Sequence, residues 1–127
     1  MEFIKYEVEG MIAVLTIDRP KALNALNKAV LAELEAALDA VDCSSIRCLI
    51  LTGGGEKSFV AGADIPEQSV MTKEEGVAWG NAGNRIFRKI ETLPIPVIAA
   101  INGYALGGGC EIAMSCDFRI CYEHAVF

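Results

Sequence analysis

The chain has 127 residues, 53% of them hydrophobic, and carries a formal net charge of −6. This length fits one domain, and the hydrophobic content is ample for a buried core, which excludes a disordered segment. The negative charge argues against nucleic acid and against an anionic membrane surface as partners, because neither offers cations to an acidic protein.

The first predicted elements are a hairpin and a helix. Residues 3–9 and 11–18 alternate between apolar and polar positions around Gly10, which is typical of two paired strands. Asn27 can then cap a helix over residues 28–42. The apolar residues that recur there at helical spacing are Val30, Leu31, Leu34, Leu38 and Val41.

Five further elements follow. Residues 47–54 form a short apolar run ended by glycines, which is typical of a strand covered on both faces. A second helix is predicted over residues 73–93 and a third buried strand over 97–101. A short helix is expected within 107–116, and residues 117–123 return as a strand. The residues expected to face inward on the second helix are Val77, Ile86, Phe87 and Ile90.

The order β-β-α-β-loop-α-β-loop-α-β predicts an α/β protein with helices packed on a sheet. The apolar stretch Pro96–Met114 is the one candidate for a membrane span. Asn102, several glycines and Glu111 interrupt it. A strand, a loop and a helix therefore fit this stretch better than a single span does.

The cysteines predict reduced thiols. Their number, five, is odd, and no two are spaced as C-x-x-C. We expect most of them to be small core residues of a cytoplasmic protein. His124 is the only histidine, so no zinc site is expected, and the first residues lack the apolar segment of a signal peptide. The five are Cys43, Cys48, Cys110, Cys116 and Cys121.

Two glycine-containing loops follow buried strands and carry the sequences FVAGADI, residues 59–65, and NGYALGGGCE, residues 102–111. In open α/β sheets, ligands bind where strand ends meet helix starts. Glycine lets the backbone approach a ligand with its N–H groups. A helix that begins at Gly108 or Gly109 adds the positive end of its dipole. We therefore predict an oxyanion hole, in which one N–H from each loop polarises a carbonyl oxygen.

Glu111 is the candidate acid or base beside that carbonyl. It lies in the first turn of the last helix among apolar residues, and we expect it to be buried. Burial and the helix N-terminus act on its carboxylate in opposite directions, so the sequence leaves its protonation open. A base near a polarised carbonyl is what enolate or conjugate-addition chemistry needs.

Simpler explanations of the same residues stay open. A glycine triplet can be only a tight connection, and a first-turn glutamate can be only a helix cap. A nucleophilic Cys110 paired with His124 is disfavoured, because Cys110 adjoins Glu111 and lacks an electropositive neighbour. A phosphate-binding Walker loop is excluded because no lysine follows the glycines. Asp64 is expected to cap or brace its loop, and Trp79 to pack.

Three motifs resemble the crotonase superfamily, and within it most closely the enoyl-CoA hydratases. They are DRPKALNALN, SFVAGADI and PVIAAINGYALGGGCEIAMSCDFRI, and they follow one another along the whole chain. The resemblance implies a crotonase-like ββα spiral, with residues 1–127 as the N-terminal part of one domain. It also implies hydration of a 2-enoyl-CoA thioester in fatty-acid metabolism (beta-oxidation), with no further cofactor and no metal, in a homotrimer or homohexamer.

The resemblance also implies roles for individual residues. The backbone N–H groups of Ala63 and Gly108 would form the oxyanion hole, and Glu111 would position or activate the water that adds to C3. Pro66 stands where the family often has a lysine, so one charge near the CoA phosphates is missing. The residues implied to bind the CoA thioester are Lys21, Ala22, Leu23, Ala61, Ala63, Asp64, Ile65, Leu106, Gly107 and Gly108.

In the family pattern a second glutamate protonates C2, and it would follow shortly after Phe127. The chain ends at that apolar residue without a polar tail, so we expect the fold to continue. Two alternatives to a hydratase stay open. One is another crotonase-like acyl-CoA isomerase or lyase with the same oxyanion hole, although Glu111 favours the hydratase. The other is a truncated, non-catalytic acyl-CoA-binding fragment.

Overall fold

The computed structural model describes residues 1–127 and contains every helix and strand that the sequence predicts, with four short elements more. The strands are β1 (Ile4–Glu9), β2 (Ile12–Ile17), β3 (Cys48–Gly53), β4 (Ser58–Val60), β5 (Val97–Ile101), β6 (Tyr104–Ala105) and β7 (Phe118–Cys121). The helices are α1 (Lys28–Asp39), α2 (Ile65–Gln68), α3 (Lys73–Thr92) and α4 (Gly108–Ser115), with a 3-10 turn over Pro20–Ala22.

The strands form a large and a small sheet. The large sheet has the order β1-β2-β3-β5-β7, in which β1 and β2 are antiparallel and the other pairs are parallel. The small sheet pairs β4 with β6, and isolated parallel bridges from Leu26 to Ala63 and from Tyr104 to Val126 extend it. The chain therefore repeats one turn, in which a strand of the large sheet, a segment of the small sheet and a helix follow one another. This is the spiral that the family resemblance implied.

The core lies on one face of the large sheet. Along β2, β3 and β5 every second residue is buried, and α1 packs against β1 and β2. The prediction that β3 is covered on both faces is wrong, because the alternate residues of β3 are only half-buried. No segment within residues 1–127 covers that second face. The apolar residues that share it are Ile12, Val14, Ile50, Ile98, Phe118 and Ile120.

Local signals fix the ends of the two long helices. The side chain of Asn27 accepts a hydrogen bond from the Val30 N–H at 2.8 Å and caps α1, as predicted. A capping box between Thr72 and Glu75 begins α3. Val77 is 57% exposed, so its predicted inward position is wrong. The first turns of α3 extend past the core, and the helix buries Ile86 and Ile90 only in its second half; Phe87 is half-buried.

The cysteines differ from the sequence prediction in their burial. All five thiols are free, but only Cys116 is buried; Cys43, Cys48 and Cys110 are half-buried, and Cys121 is exposed. Burial raises the pKa of the Cys116 thiol to about 12. None of the helices is long and apolar enough to cross a membrane.

A charged cluster joins α1 to α3. The Arg85 guanidinium donates two hydrogen bonds to the Glu35 carboxylate, at 2.7 and 3.0 Å. Lys89 contacts Glu35 at 3.2 Å and Asp39 at 2.7 Å. The hydrogen bonds from Arg85, with those from Lys89, lower the pKa of Glu35 to about 2.

This pKa predicts how stability depends on pH. The unfolded chain binds more protons at Glu35 than the folded chain does, so the free energy of unfolding should fall as pH drops from about 5 toward 2. Glu35→Gln should flatten that slope. Glu74→Gln is the matched control, since Glu74 is exposed and makes no ion pair. Urea denaturation across this range measures the slopes, and an unchanged slope for Glu35→Gln would contradict the ion-pair account.

Candidate active site

The two glycine-containing loops lie against each other at the end of the small sheet where β4 and β6 finish. The Leu106 N–H donates to the Val60 carbonyl at 3.0 Å, which ties the second loop to β4. Gly62 has a φ of +100° and Gly107 a φ of +50°, both in the region that favours glycine. A Cβ on Gly109 would overlap the Val60 carbonyl oxygen. Only glycine therefore permits this approach of α4 to β4.

The two predicted oxyanion donors are unpaired within the fold. Leu26 makes two backbone hydrogen bonds to the first loop. Its N–H donates to the Gly62 carbonyl at 2.8 Å, and its carbonyl accepts the Asp64 N–H at 2.8 Å. In a parallel bridge of this kind, the residue between those two partners directs its own N–H away from the bridge. That residue is Ala63, whose N–H has no acceptor in the chain. Gly108 is the first residue of α4, and its N–H is one that a helix leaves free.

Ala63, Gly108 and Glu111 line one cavity of about 260 Å³, which we call the site cavity. Its remaining walls combine apolar residues and glycines with the amides Gln68 and Asn84, and Glu111 is its only titratable side chain. Glu111 is exposed, so the prediction of a buried carboxylate is wrong. Its neighbours Ile112 and Ala113 face the core, and the helical rotation turns Glu111 outward. The other lining residues are Leu26, Leu31, Gln68, Trp79, Gly80, Gly83, Asn84 and Phe87.

Asp64 braces the first loop, as the sequence predicted. One carboxylate oxygen, Oδ1, accepts the Glu67 N–H at 3.0 Å and caps α2. The other, Oδ2, accepts from Arg19 Nη1 at 2.9 Å, and the same nitrogen donates to the Ala25 carbonyl at 3.1 Å. The Glu67 N–H, and after it the Arg19 guanidinium, lowers the pKa of Asp64. Both oxygens of the residue next to Ala63 are thus engaged within the protein.

Asn24 is a second brace, which the sequence analysis missed. Its side chain is fully buried, accepts the Arg19 N–H at 2.7 Å and donates to the carbonyls of Gly54 and Ser58 at 3.0 and 2.9 Å. Its φ of +60° is one that asparagine tolerates better than most residues. Asn24 therefore locks the segment after β2 onto the segment between β3 and β4.

The other residues predicted to bind CoA fall into two groups. Lys21 and Leu23 line a separate cavity of about 400 Å³, together with Lys57 and the glycines that follow β3. The rest line neither cavity: Ile65 and Leu106 are exposed, Ala22, Ala61 and Asp64 are half-buried, and Gly107 forms the N-cap of α4.

Sequence reasoning also missed the cavity wall that α3 supplies. Gly80, Gly83, Asn84 and Phe87 recur at intervals of three and four and therefore share one helix face. The sequence does mark this wall. A run of small residues from Gly80 ends at the amide Asn84, within a helix that is otherwise amphipathic. Trp79, which was predicted to pack, packs on the core and also lines the cavity.

Comparisons with known proteins agree with this geometry. Residues 7–127 match the family model described as enoyl-CoA hydratase/isomerase. The short-chain-enoyl-CoA hydratase of Clostridium acetobutylicum is 57% identical over 122 residues, covering 95% of this chain and 47% of the relative. The crotonyl-CoA hydratase of Syntrophomonas wolfei is 53% identical over 127 residues, covering 99% of this chain and 49% of the relative.

A solved structure extends the likeness to the fold. The enoyl-CoA hydratase of Bacillus anthracis superposes with a TM-score of 0.94 at 39% identity, covering 97% of this chain and 48% of that one. The chain therefore spans about half the length of the relatives and structures it matches.

The Asp64–Arg19 pair generates a stability prediction. Asp64→Asn keeps an oxygen for the cap of α2 but removes the charge that faces Arg19. Because both side chains are largely shielded, at 15% and 22% exposure, the loss should be about 1.5–3 kcal/mol, as for other hydrogen bonds to charged groups. Chemical denaturation measures it.

The control for this prediction is Glu91→Gln, which breaks the exposed Arg88–Glu91 pair. It should leave stability unchanged within error, because exposed ion pairs contribute little. Equal effects of the two substitutions would refute the special role of the Asp64 brace.

Proposed function

Because the chain belongs to the enoyl-CoA hydratase/isomerase family, we propose that it carries the hydratase-type site that adds water to a short-chain 2-enoyl-CoA thioester. One observation carries the proposal: two residues with unpaired backbone N–H groups, Ala63 and Gly108, line one cavity with a single carboxylate, Glu111. The names of the two relatives described above, a short-chain-enoyl-CoA hydratase and a crotonyl-CoA hydratase, support the short acyl chain.

In the proposed mechanism the thioester carbonyl accepts hydrogen bonds from both N–H groups. As water adds to C3, negative charge collects on that oxygen, and each donor lowers the barrier by about 2.7–4 kcal/mol. Glu111 takes a proton from the attacking water. Its exposure supports this role, because water can reach its carboxylate. The proton that C2 receives comes from a second acid, which the family resemblance implies outside residues 1–127.

The CoA part of the substrate is proposed to lie along the loops that flank the site cavity. Lys21 and Lys57 line the separate cavity of about 400 Å³, in which Glu56 is the one acidic lining residue. The ammonium groups of the two lysines suit the phosphates of CoA. Ala22, Leu23, Ala61, Ile65, Leu106 and Gly107 are proposed to contribute backbone and apolar contacts. Asp64 contributes through the loop that it braces, because both its carboxylate oxygens are already engaged.

A second candidate function is acyl-CoA binding without turnover. It is favoured by the single titratable side chain in the site cavity, since hydration needs a proton donor as well as a base. Loss of one acid–base partner typically slows such a reaction about 10²–10⁴-fold. A chain of residues 1–127 alone would then hold the thioester and turn it over poorly.

Further parts of the proposal follow the family resemblance. Residues 1–127 are proposed to be the N-terminal part of one domain, and the single continuous core supports this. The site is proposed to need no cofactor beyond the CoA thioester, because its polarising groups are backbone N–H groups. A cytoplasmic location is supported by five free thiols. Assembly into a homo-oligomer is proposed from the family resemblance alone.

Glu111→Gln tests the proposed function. The substitution keeps the shape of the side chain and removes its basicity, so hydration of crotonyl-CoA should fall about 10²–10⁴-fold. Affinity for acetoacetyl-CoA should hardly change, because the oxyanion hole is made of backbone. The absorbance of the enoyl thioester measures turnover, and calorimetric titration measures binding.

Glu74→Gln serves as the control, because Glu74 is an exposed glutamate that lines neither cavity. Turnover of Glu111→Gln at the rate of this control would remove Glu111 from the mechanism. Thioester binding without any hydration by the unsubstituted chain would favour the second candidate function.

A further inference from the structure

A second apolar cavity lies on the other side of one wall of the site cavity. It has a volume of about 250 Å³, close to the 260 Å³ of the site cavity, and lies between α1 and α3. We call it the rear cavity. Its apolar lining is made by Leu31, Ala32, Ala78, Trp79, Ala82 and Ile86.

Helix α3 contributes to both cavities, and one of its side chains belongs to both. Ala78 and Ala82 line only the rear cavity, whereas Gly80 and Gly83 line only the site cavity. Trp79 lies at the border between these two helix faces and lines each of them. The one other residue they share is Leu31, a buried residue of α1. The half-buried indole of Trp79 is therefore the larger of the two side chains that separate the cavities.

From this arrangement we propose that Trp79 sets the longest acyl chain that the site accepts, by closing the site cavity against the rear cavity. The inference rests on the proposed function and assigns the rear cavity a chemical class of occupant. That occupant is the apolar tail of an acyl-CoA longer than the site cavity can hold. With the native tryptophan the tail is excluded, and the site selects short chains.

The charges around the rear cavity support an uncharged occupant. Four charged residues line it, and they form two ion pairs across the groove between α1 and α3. Lys28 contacts Glu75 at 3.0 Å, and Arg85 contacts Glu35 at 2.7 Å. With these charges paired, the cavity offers a ligand mainly hydrocarbon surface. Each methylene group moved there from water is worth roughly a fourfold gain in affinity.

Gly80 and Gly83 leave space for an acyl chain on the face of α3 that borders Trp79. A Cβ on Gly80 would meet nothing within 4 Å, so this side of the site cavity is open where α3 passes it. An acyl chain that starts at the thioester carbonyl, near Ala63 and Gly108, can run along the glycine face of α3. Two large side chains of that helix line the site cavity, Trp79 beside Gly80 and Phe87 beyond Gly83. Of these two, only Trp79 also lines the rear cavity.

The test compares the binding of butyryl-CoA and octanoyl-CoA by calorimetric titration. The unsubstituted chain should bind octanoyl-CoA no more tightly than butyryl-CoA. Trp79→Ala should bind octanoyl-CoA at least tenfold more tightly than the unsubstituted chain does, with affinity for butyryl-CoA unchanged or lower. Val77→Ala is the matched control, because Val77 is an exposed residue of α3 that lines neither cavity.

A second substitution separates a new path for the acyl tail from general loosening. In the Trp79→Ala background, Ala82→Leu should refill the rear cavity and remove the gain for octanoyl-CoA. Trp79→Leu, which retains more apolar volume, gives the same comparison if the alanine variant does not fold by circular dichroism.

The outcomes distinguish this inference from the proposed function. If the unsubstituted chain binds butyryl-CoA and the Trp79 variants show no gain for octanoyl-CoA, the chain-length role of Trp79 is wrong and the proposed function stands. A gain that survives Ala82→Leu also overturns that role. If the unsubstituted chain binds neither thioester, the proposed function itself fails, and this inference fails with it.

Discussion

Two peptide N–H groups that find no acceptor inside the fold are the feature on which the candidate site depends. Folded proteins pair nearly all of their buried N–H groups, because a buried unpaired donor destabilises the fold. Leu26 donates its N–H to the Gly62 carbonyl and accepts the Asp64 N–H at its own carbonyl. The N–H of Ala63, which lies between those two residues, is left unpaired. Gly108 is left unpaired because it begins a helix. Both residues line an open cavity, where a ligand oxygen can accept from their N–H groups.

Much of the surrounding structure fixes the positions of those two peptides. Gly109 lets α4 approach β4 so closely that any side chain there would overlap Val60. On the other side, Arg19 and Asp64 hold the first loop across 45 residues of sequence. Asn24 fastens the same region to the segment after β3. An oxyanion hole works through such preorganisation, since its donors then need not move as charge develops.

The sequence predicted those helices and strands whose positions local residue patterns determine. An apolar run predicted the bounds of β5, and the capping residue Asn27 predicted the start of α1. The strands β4 and β6 were missed, because they have three and two residues and exist only through their pairing with each other. The exposure of Glu111 was missed because its sequence neighbours are apolar, whereas helical rotation decides which of them face the core. Val77 was placed wrongly for the same reason. The CoA thioester itself came from the family resemblance and from no pattern of residues.

The most direct test of the proposed oxyanion hole is the infrared carbonyl band of isotope-labelled butyryl-CoA bound to the chain. The band should lie at lower wavenumber than in free butyryl-CoA. Gly108→Pro, at a helix position where proline is tolerated, should move it back toward the free position by removing one N–H. Gly108→Ala adds the same Cβ near Leu26 but keeps the donor, so its band should match that of the unsubstituted chain. A band in Gly108→Pro identical to that of the unsubstituted chain would contradict the account.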